Sequence, residues 1–200
     1  MNIVISGPSG AGKGTVIELL QNYMGFEKSV SVTTRPIREG EINNENYSFV
    51  KKDEFKSLIN NDFFFEFVEY GGNFYGIPNK NITDINSNRK IIFDLVPTSG
   101  INLKRNFPNT CLIYVIPENE EELTKRRGNR GEHRVEYDKE QLEYAKEFYD
   151  YIIINDDLEK TMTQLLAVLN VFEMNSIDNN KGILDNYFHE EAKCKVLQKN

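Results

Sequence analysis

Residues 1–15 constrain the fold of this chain more than any other stretch. Residues 3–5 are β-branched and predict a short buried strand, and residues 16–20 continue with the apolar spacing of a helix. Between them lies a Gly-rich turn that leads to Lys13, and glycine allows the backbone N–H groups of such a turn to point inward. A phosphate group there would meet those N–H groups, a helix N-terminus and the lysine ammonium group together. The stretch therefore predicts a phosphate-binding loop.

An ordinary Gly-rich turn with a solvent-exposed lysine is the alternative, and the strand before the turn and the helix after it disfavour that interpretation. One departure concerns the metal ion that accompanies nucleotide phosphates. Gly14 follows the lysine where Ser or Thr usually supplies a hydroxyl group to Mg²⁺, and Thr15 comes one position late. We therefore expect Mg²⁺ to be held more through water and phosphate than through protein.

The charge and composition narrow the classes of partner. A net charge of −7 argues against nucleic acid, because binding to a phosphate backbone needs a basic surface. The hydrophobic content of 39% over 200 residues is enough for one core, so we expect one catalytic domain. No apolar run approaches the ~18 residues of a membrane span, and we expect no signal peptide. Cys111 and Cys194 lack metal-ligand spacing, which indicates a reducing cytoplasm.

Hydrophobic periodicity predicts alternating strands and helices along the rest of the chain. Gly71 and Gly72 are expected to turn one strand into a hairpin, and Asp53 to cap a short helix. The last segment is predicted as a polar linker at 175–181 and a short helix at 183–197 that either docks or stays disordered. The predicted strands are 29–32, 47–50, 63–70, 90–96, 111–116 and 151–154, and the predicted helices are 53–60, 79–87, 101–107, 118–127, 136–150 and 158–172.

A polar segment with two arginines follows the strand predicted at 29–32. Arg35 and Arg38 are three positions apart and stand beside hydroxyl side chains. Guanidinium groups bind the oxygens of a dianionic phosphate bidentately, so this segment is a candidate phosphate site. A solvent-exposed charge run is the alternative interpretation.

Two carboxylates are placed where a role other than solvation is expected. Glu66 lies within an aromatic run, where a carboxylate is costly unless it is paired or exposed. By strand alternation it shares a face with Phe64 and Val68, and simple outward pointing is the alternative. Asp94 lies at the carboxyl end of a strand expected beside the first strand, which suits Mg²⁺ or a ligand.

Three motifs in this order make the sequence similar to the guanylate kinases, which are nucleoside monophosphate kinases. Residues 29–41 hold Ser-Val-Ser, two Thr, two spaced Arg and Gly-Glu, although Pro36 stands one place early. Residues 46–50 read Asn-Tyr-x-Phe-Val, and residues 72–76 read Gly-Asn-aromatic-Tyr-Gly. The resemblance runs from residue 1 to about residue 172.

The resemblance implies an α/β P-loop fold with a parallel core sheet, a small mixed insert that binds the nucleoside monophosphate, and a helical lid. It implies transfer of the γ-phosphoryl group of ATP to GMP, and also to dGMP, with Mg²⁺ as the cofactor. No nucleic acid or membrane partner is expected, and the protein would be a cytoplasmic monomer or homodimer. The kinase domain would span 1–172, with the core at 1–32, 88–123 and 146–172, the insert at 33–87, the lid at 124–145, and a linker and tail helix at 173–200.

The resemblance also implies roles for individual residues. In the family, two lid arginines lie four positions apart and a third lies further along the chain. Arg126 and Arg130 match the first two, and Arg134 matches the third, although the loop before it is shorter than in the family. Such arginines stabilise the charge on the transferring phosphoryl group, and ordinary charges at a helix end are the alternative for Arg126. His133 is expected to be a solvated lid residue rather than a general base.

The expected site residues form three groups. Those expected to act in catalysis are Lys13, Arg126, Arg130 and Arg134. Those expected to bind ATP are Gly7, Pro8, Ser9, Gly10, Ala11, Gly12, Lys13, Gly14, Thr15 and Asn155. Those expected to bind GMP are Ser31, Arg35, Arg38, Tyr47 and Tyr75 at the phosphate, Glu66 at the guanine, and Asp94, which would also hold the metal through water.

Two positions depart from the family pattern at the expected site. The family's Ser or Thr after Tyr-Gly, which can donate to guanine O6, is Ile77 here, so we expect weaker GMP binding, with Asn73 or Asn79 as alternative donors to O6. The second acid of the family's Asp-x-Asp is Val96, which, together with Gly14, leaves fewer protein groups to hold magnesium. Two rival functions remain: a kinase of this architecture acting on another mononucleotide, and a non-catalytic guanylate kinase-like binding module. Such modules lose the phosphate-binding loop, whereas this chain keeps it.

Overall fold

A computed structural model describes residues 1–83, 85, 89–127 and 135–178. The chain divides into two compact units, Met1–Thr161 and Met162–Asn200, and all of the strands belong to the first. The strands are β1 (Asn2–Ser6), β2 (Glu27–Lys28), β3 (Val32–Thr33), β4 (Ser48–Phe49), β5 (Phe64–Tyr70), β6 (Asn73–Pro78), β7 (Ile91–Asp94), β8 (Thr110–Ile116) and β9 (Tyr151–Ile154). The helices are α1 (Lys13–Met24), α2 (Lys52–Asn60), α3 (Asn79–Thr83), α4 (Pro97–Asn106), α5 (Glu120–Arg127), α6 (Val135–Phe148) and α7 (Leu158–Asp178).

The core is a parallel five-stranded sheet in the order β2-β7-β1-β8-β9. Its three central strands are apolar runs that are buried along nearly their whole length, as expected for a parallel sheet covered on both faces. Ile3 pairs with Ile92 on one side and with Cys111 on the other. Because the chain order reverses across β1, the carboxyl ends of β1 and β7 border the crevice where ligands of α/β sheets bind. The expectation of an α/β fold with a parallel core sheet is confirmed.

A second sheet, in the order β4-β3-β6-β5, forms the insert. It is mixed, because β3 pairs with β4 in parallel and with β6 antiparallel. Strands β5 and β6 form the predicted hairpin, and Gly71 and Gly72 at its tip have φ values of 56° and 73°. The left-handed conformation explains why glycine occupies both turn positions.

An irregularity in β5 changes which side chains share a face. The pairing register shifts between Phe64 and Glu66, and Glu66 lies opposite Ile77. Phe64 stacks on Phe55 with ring centroids 4.6 Å apart, whereas Glu66 and Val68 line a cleft. The expectation that Glu66 shares a face with Phe64 is therefore wrong, because a β-bulge interrupts the alternation on which it relied.

Several predicted boundaries are also wrong. The strand predicted at 29–32 is not continuous, because the chain leaves the core sheet after β2 and joins the second sheet at β3. Helix α4 begins at Pro97, where proline suits a first turn, rather than at residue 101. Asp53 lies in the first turn of α2 and is not its cap, which is Lys51. Helix α7 continues to Asp178, so the linker predicted from 175 begins as helix, and the tail helix at 183–197 lies outside the described residues.

Two glycines of the first loop are required by close packing. A Cβ atom on Gly7 would lie 2.2 Å from the Val115 carbonyl oxygen, and one on Gly12 would lie 2.0 Å from Asn155 Nδ2. Both residues have positive φ values, of 150° and 84°. The loop thus lies directly against the ends of β8 and β9. Among the described helices, none is long and apolar enough to cross a membrane.

Candidate active site

A cleft of about 630 Å³ opens at the carboxyl edge of the core sheet. The loop before α1 forms one wall, the second sheet forms another, and the beginning of α4 and one face of α6 complete it. Of the predicted site residues, the cleft is lined by Gly7, Pro8, Ser9, Gly10, Gly12, Lys13, Gly14, Ser31, Arg35, Arg38, Tyr47, Glu66, Tyr75 and Asp94. The two predicted binding regions therefore share one cavity.

An asparagine that does not line the cleft, Asn155, holds the phosphate-binding loop. Asn155 Nδ2 donates to the carbonyl oxygen of Ala11 at 2.9 Å, and Thr161 Oγ1 donates to Asn155 Oδ1 at 3.1 Å. Ala11 is fully buried, and neither it, Thr15 nor Asn155 lines the cleft. Above the loop, Lys13 Nζ donates to the carbonyl oxygen of Gly7 at 2.7 Å. The ammonium group is thereby held on the cleft side of the loop.

Arg35 and Glu41 form a bidentate ion pair in the wall of the cleft. Nη1 and Nη2 of Arg35 donate to the two carboxylate oxygens at 3.0 and 2.7 Å, and the side chains are only 8% and 18% exposed. Burial opposes charge on both groups, but their mutual hydrogen bonds and attraction raise the pKa of Arg35 and lower the pKa of Glu41. Both therefore stay ionised at neutral pH. Arg38 contributes its backbone N–H to the same carboxylate, and its side chain extends into the cleft.

Tyr47 connects the insert to the core sheet. Its hydroxyl group donates to Asp94 Oδ2 at 2.7 Å. Burial, followed by the charge of Asp94 and this hydrogen bond, raises the pKa of Tyr47 well above its ordinary value, so the hydroxyl group keeps its proton. The Tyr47 ring packs edge-on against Tyr75, and Lys28 Nζ lies 5.1 Å from the ring centroid. Lys28 lines the cleft but was not predicted, and burial lowers its pKa.

The end of the cleft formed by β5 and β6 holds Glu66 together with apolar side chains such as Val68 and Ile77. Glu66 Oε2 accepts a hydrogen bond of 2.7 Å from Asn102 Nδ2, which lies on α4. Ile77 lies opposite Glu66 on β6, is 3% exposed and packs in the hydrophobic core, and Val96 also lines this end. Sequence reasoning missed Asn102, because the two partners are 36 residues apart in the sequence.

The two asparagines expected as alternative donors to a base are bound elsewhere. Asn73 Nδ2 donates to the Gly71 carbonyl oxygen, and Asn79 Nδ2 donates to the Asp62 carbonyl oxygen. Neither residue lines the cleft. The expectation that one of them supplies a donor at this end is therefore not met by the structure.

The lid region is described only in part. Arg126 Nε donates to Glu122 at 2.8 Å and Nη1 donates to the Asn155 carbonyl oxygen at 2.9 Å, which places the guanidinium group beside the phosphate-binding loop. The predicted residues Arg130 and Arg134 lie outside the described residues, as does His133. On α6, the buried Gln141 lines the cleft, and its Oε1 has no hydrogen-bond partner within the described chain. No sequence signal pointed to Gln141.

The side chains of the cleft fit a magnesium ion that is held mainly by water and nucleotide phosphates rather than by the protein. Within the described ranges, no three His, Cys, Asp or Glu side chains cluster as a metal site. Asp94 is the last residue of the core strand β7, and it lines the cleft. Mg²⁺ commonly binds through one or two carboxylates, waters and substrate phosphates, which this arrangement allows. A Cβ atom at Gly14 would meet nothing within 4 Å, so packing does not explain the missing hydroxyl group there.

Comparison with known proteins supports the interpretation of the cleft. The profile of the family described as guanylate kinase matches residues 1–171. A guanylate kinase of Clostridium acetobutylicum is 35% identical over 203 residues, which cover 94% of this chain and 97% of the relative. One from Mycoplasmoides gallisepticum is 38% identical over 176 residues, covering 84% and 90%. The crystal structure of guanylate kinase from Anaplasma phagocytophilum superposes with a TM-score of 0.69 at 28% identity, covering 86% of this chain and 85% of that one.

Proposed function

We propose that this chain, which belongs to the guanylate kinase family, transfers the γ-phosphoryl group of ATP to GMP within the cleft described above. The observation that carries the proposal is that the phosphate-binding loop and Glu66 line one cavity. A donor nucleotide on the loop and an acceptor nucleotide on the second sheet would then have their phosphates side by side. Positioning of this kind supplies most of the catalysis in phosphoryl transfer.

The phosphate of GMP is proposed to bind where the cations of the insert meet the core. Arg35 is held by Glu41 through Nη1 and Nη2, and no hydrogen bond in this pair uses Nε. That edge of the guanidinium group can therefore take a phosphate oxygen. Arg38 and the buried Ser31 line the same region, and the hydroxyl group of Tyr75 is a further donor for phosphate. Tyr47, whose hydroxyl proton is donated to Asp94, is proposed to contribute to this region through its ring, which packs edge-on against Tyr75.

The guanine ring is proposed to bind against Glu66. Guanine carries N–H donors at N1 and at the 2-amino group, and a carboxylate is an acceptor that can take both. Adenine would instead place a lone pair at N1 against the negative charge. Glu66 therefore favours guanine, and dGMP is accepted by the same contact because it carries the same base.

The transfer step is proposed to depend on cations rather than on a base. The acceptor is already a phosphate anion, so no proton has to be removed before attack. Lys13 would contact the transferring group from the loop, and Arg126 would contact the phosphates from the lid side. Arg130 and Arg134 are proposed to join them when the lid closes. Asn155 is proposed to support ATP binding through the loop that it holds.

Magnesium is the proposed cofactor, and Asp94 would hold it through water. When bound with ATP, the ion neutralises part of the phosphate charge. The hydrogen bond donated by the Tyr47 hydroxyl group would keep the Asp94 side chain oriented. The family's use of Mg²⁺ with ATP is consistent with this donor set.

A coupled assay of ADP formation across GMP, dGMP, AMP, UMP and dTMP tests the proposal. We expect the highest kcat/KM with GMP, followed by dGMP. Faster phosphorylation of AMP, UMP or dTMP would show that the guanine assignment is wrong while the kinase assignment holds. Absence of ADP formation with all five nucleotides, together with measurable GMP binding, would instead favour the non-catalytic module. A Lys13→Ala sample prepared in parallel controls for contaminating kinases.

A further inference from the structure

The base-binding end of the cleft has fewer polar groups than the family pattern would supply. Ile77 and Val96 stand where hydroxyl and carboxyl side chains are expected, and both line the cleft. Asn73 and Asn79 are bound to backbone carbonyl oxygens away from it. Recognition of the base therefore depends heavily on how Glu66 is oriented.

Among the described residues, Asn102 donates a side-chain hydrogen bond to Glu66. Its Nδ2 donates to Oε2 at 2.7 Å, across 36 positions of sequence, and joins the second sheet to helix α4 of the core. Asn106, one turn further along α4, donates its Nδ2 to the Asn102 carbonyl oxygen at 2.9 Å and to Asn102 Oδ1 at 3.4 Å. These contacts direct the Asn102 oxygen toward Asn106 and the Asn102 nitrogen toward Glu66.

We propose that Asn102 is a positioning residue for guanine recognition, acting by holding the Glu66 carboxylate in place. The inference rests on the proposed function and names a residue on which discrimination between bases depends. A carboxylate has about four lone-pair sites. Asn102 occupies one of them on Oε2, which leaves the other site on Oε2 and both sites on Oε1 for the N–H groups of guanine.

The physical reason for such a residue is the freedom of a glutamate side chain. Three rotatable bonds separate the carboxylate from the backbone, and Ile77 and Val96 offer it no hydrogen bond. Without Asn102 the carboxylate would have to be ordered by the base itself, and that cost would reduce the affinity for GMP. Because the groups that act on the phosphates are untouched, the effect should appear in binding rather than in turnover.

The experiment compares Asn102→Ala, Asn102→Asp and Asn102→Gln with the full-length wild-type chain. For Asn102→Ala we expect KM and the Kd for GMP to rise about tenfold, with kcat changed by no more than about twofold. Asn102→Asp is nearly isosteric but replaces the donor with a like charge, so the increase should be larger. Asn102→Gln keeps a carboxamide donor and should recover most of the affinity.

Two further measurements separate positioning from a general structural role. The ratio of kcat/KM for GMP to that for AMP should fall in Asn102→Ala, because Glu66 discriminates only while it is held. In a Glu66→Ala background, Asn102→Ala should cause no further loss, since coupled residues are not additive. Asn61→Ala is the matched control, because the Asn61 side chain is exposed and its Nδ2 donates to the carbonyl oxygen of Ser57 in α2.

Several outcomes would overturn the inference. An unchanged Kd for GMP in both Asn102→Ala and Asn102→Asp would contradict it. So would a fall in kcat/KM that is equal for GMP and AMP, or an effect of Asn102→Ala that is as large in the Glu66→Ala background as in the wild-type protein. Thermal unfolding of each variant identifies any that fails to fold. If Asn102→Ala fails to fold, the Kd of Asn102→Asp for GMP decides the outcome. Failure of the wild-type chain to phosphorylate GMP would refute the proposed function, whereas an active wild type with insensitive Asn102 variants refutes this inference alone.

Discussion

The proposed phosphate-binding and base-binding ends of the cleft are built in different ways. At the phosphate end, the glycine-rich loop, Lys13 and Arg35 line the same cleft, and Glu41 and the loop carbonyl groups hold the two cations in place. At the base end, Glu66 stands opposite Ile77 and is held by Asn102. Many groups are therefore available to bind phosphate, and few are available to bind the base.

The difference reflects what each end has to recognise. A phosphate group is the same in every nucleotide, so main-chain donors and fixed cations can bind it without discrimination. A base is recognised by its particular order of donors and acceptors, which a small number of side chains must match. We therefore expect substitutions at the phosphate end to change the rate, and substitutions at the base end to change the choice of substrate.

The largest effect is predicted at the phosphate end. We predict that Lys13→Ala lowers kcat by at least ~10³, because the ammonium group would no longer stabilise charge on the transferring phosphoryl group. Arg130→Ala is predicted to lower kcat by the same order, because the lid would lose an arginine that stabilises the same charge. Steady-state kinetics with GMP measures both. A variant that keeps more than about a tenth of the wild-type kcat would show that its residue has no such role.

The next effect is predicted at the base end and should appear in selectivity. We predict that Glu66→Gln loses most of the discrimination between GMP and AMP, by about 10²-fold in the ratio of kcat/KM values, because an amide replaces one acceptor with a donor. Competition between the two nucleotides in one assay measures the ratio directly. A ratio equal to that of the wild-type protein would exclude Glu66 from base recognition.

A third prediction separates the stability of the phosphate end from its chemistry. Because the pKa of Glu41 is lowered in the folded state, its stabilisation is full above the ordinary value of 4.5 and is lost as the pH falls through the lowered pKa. We predict that Glu41→Gln lowers the free energy of unfolding by about 2 kcal/mol at neutral pH. The difference between the variant and the wild-type protein should shrink as the pH falls below 4.5. Urea unfolding at several pH values tests this. A difference that stays constant down to strongly acidic pH would contradict it.

The smallest effect is predicted for Ile77, and the structure changes how it should be tested. The family's Ser or Thr at this position suggests Ile77→Ser, but Ile77 packs in the core, and replacing it with serine would leave a cavity. Ile77→Thr keeps part of that volume and adds a hydroxyl donor near guanine O6. We predict severalfold tighter GMP binding, measured by calorimetry, and Ile77→Val controls for the change in volume. Equal affinities in the two variants would mean that the hydroxyl group does not reach the base.

The fold and most of the phosphate end could be predicted from sequence because both depend on local patterns. Apolar runs predict the buried strands, and the glycines before Lys13 predict the loop. The base end was predicted less well, because its geometry depends on contacts between distant segments. Neither the bulge before Glu66 nor the hydrogen bond from Asn102 leaves a local signal, and the same is true of Asn155 beneath the loop.

The buried thiol near the start of β8 allows opening of the core sheet to be followed by chemical labelling. Cys111 is fully buried, and burial, with a smaller contribution from Asp150, raises its pKa to about 12. The reactive thiolate is therefore scarce in the folded protein, whereas an unfolded cysteine has a pKa of about 8.5. With Cys194 replaced by serine, the rate of thiol labelling reports how often the parallel sheet opens. The chain thus carries its own probe for measuring whether a bound nucleotide changes how often the core sheet opens.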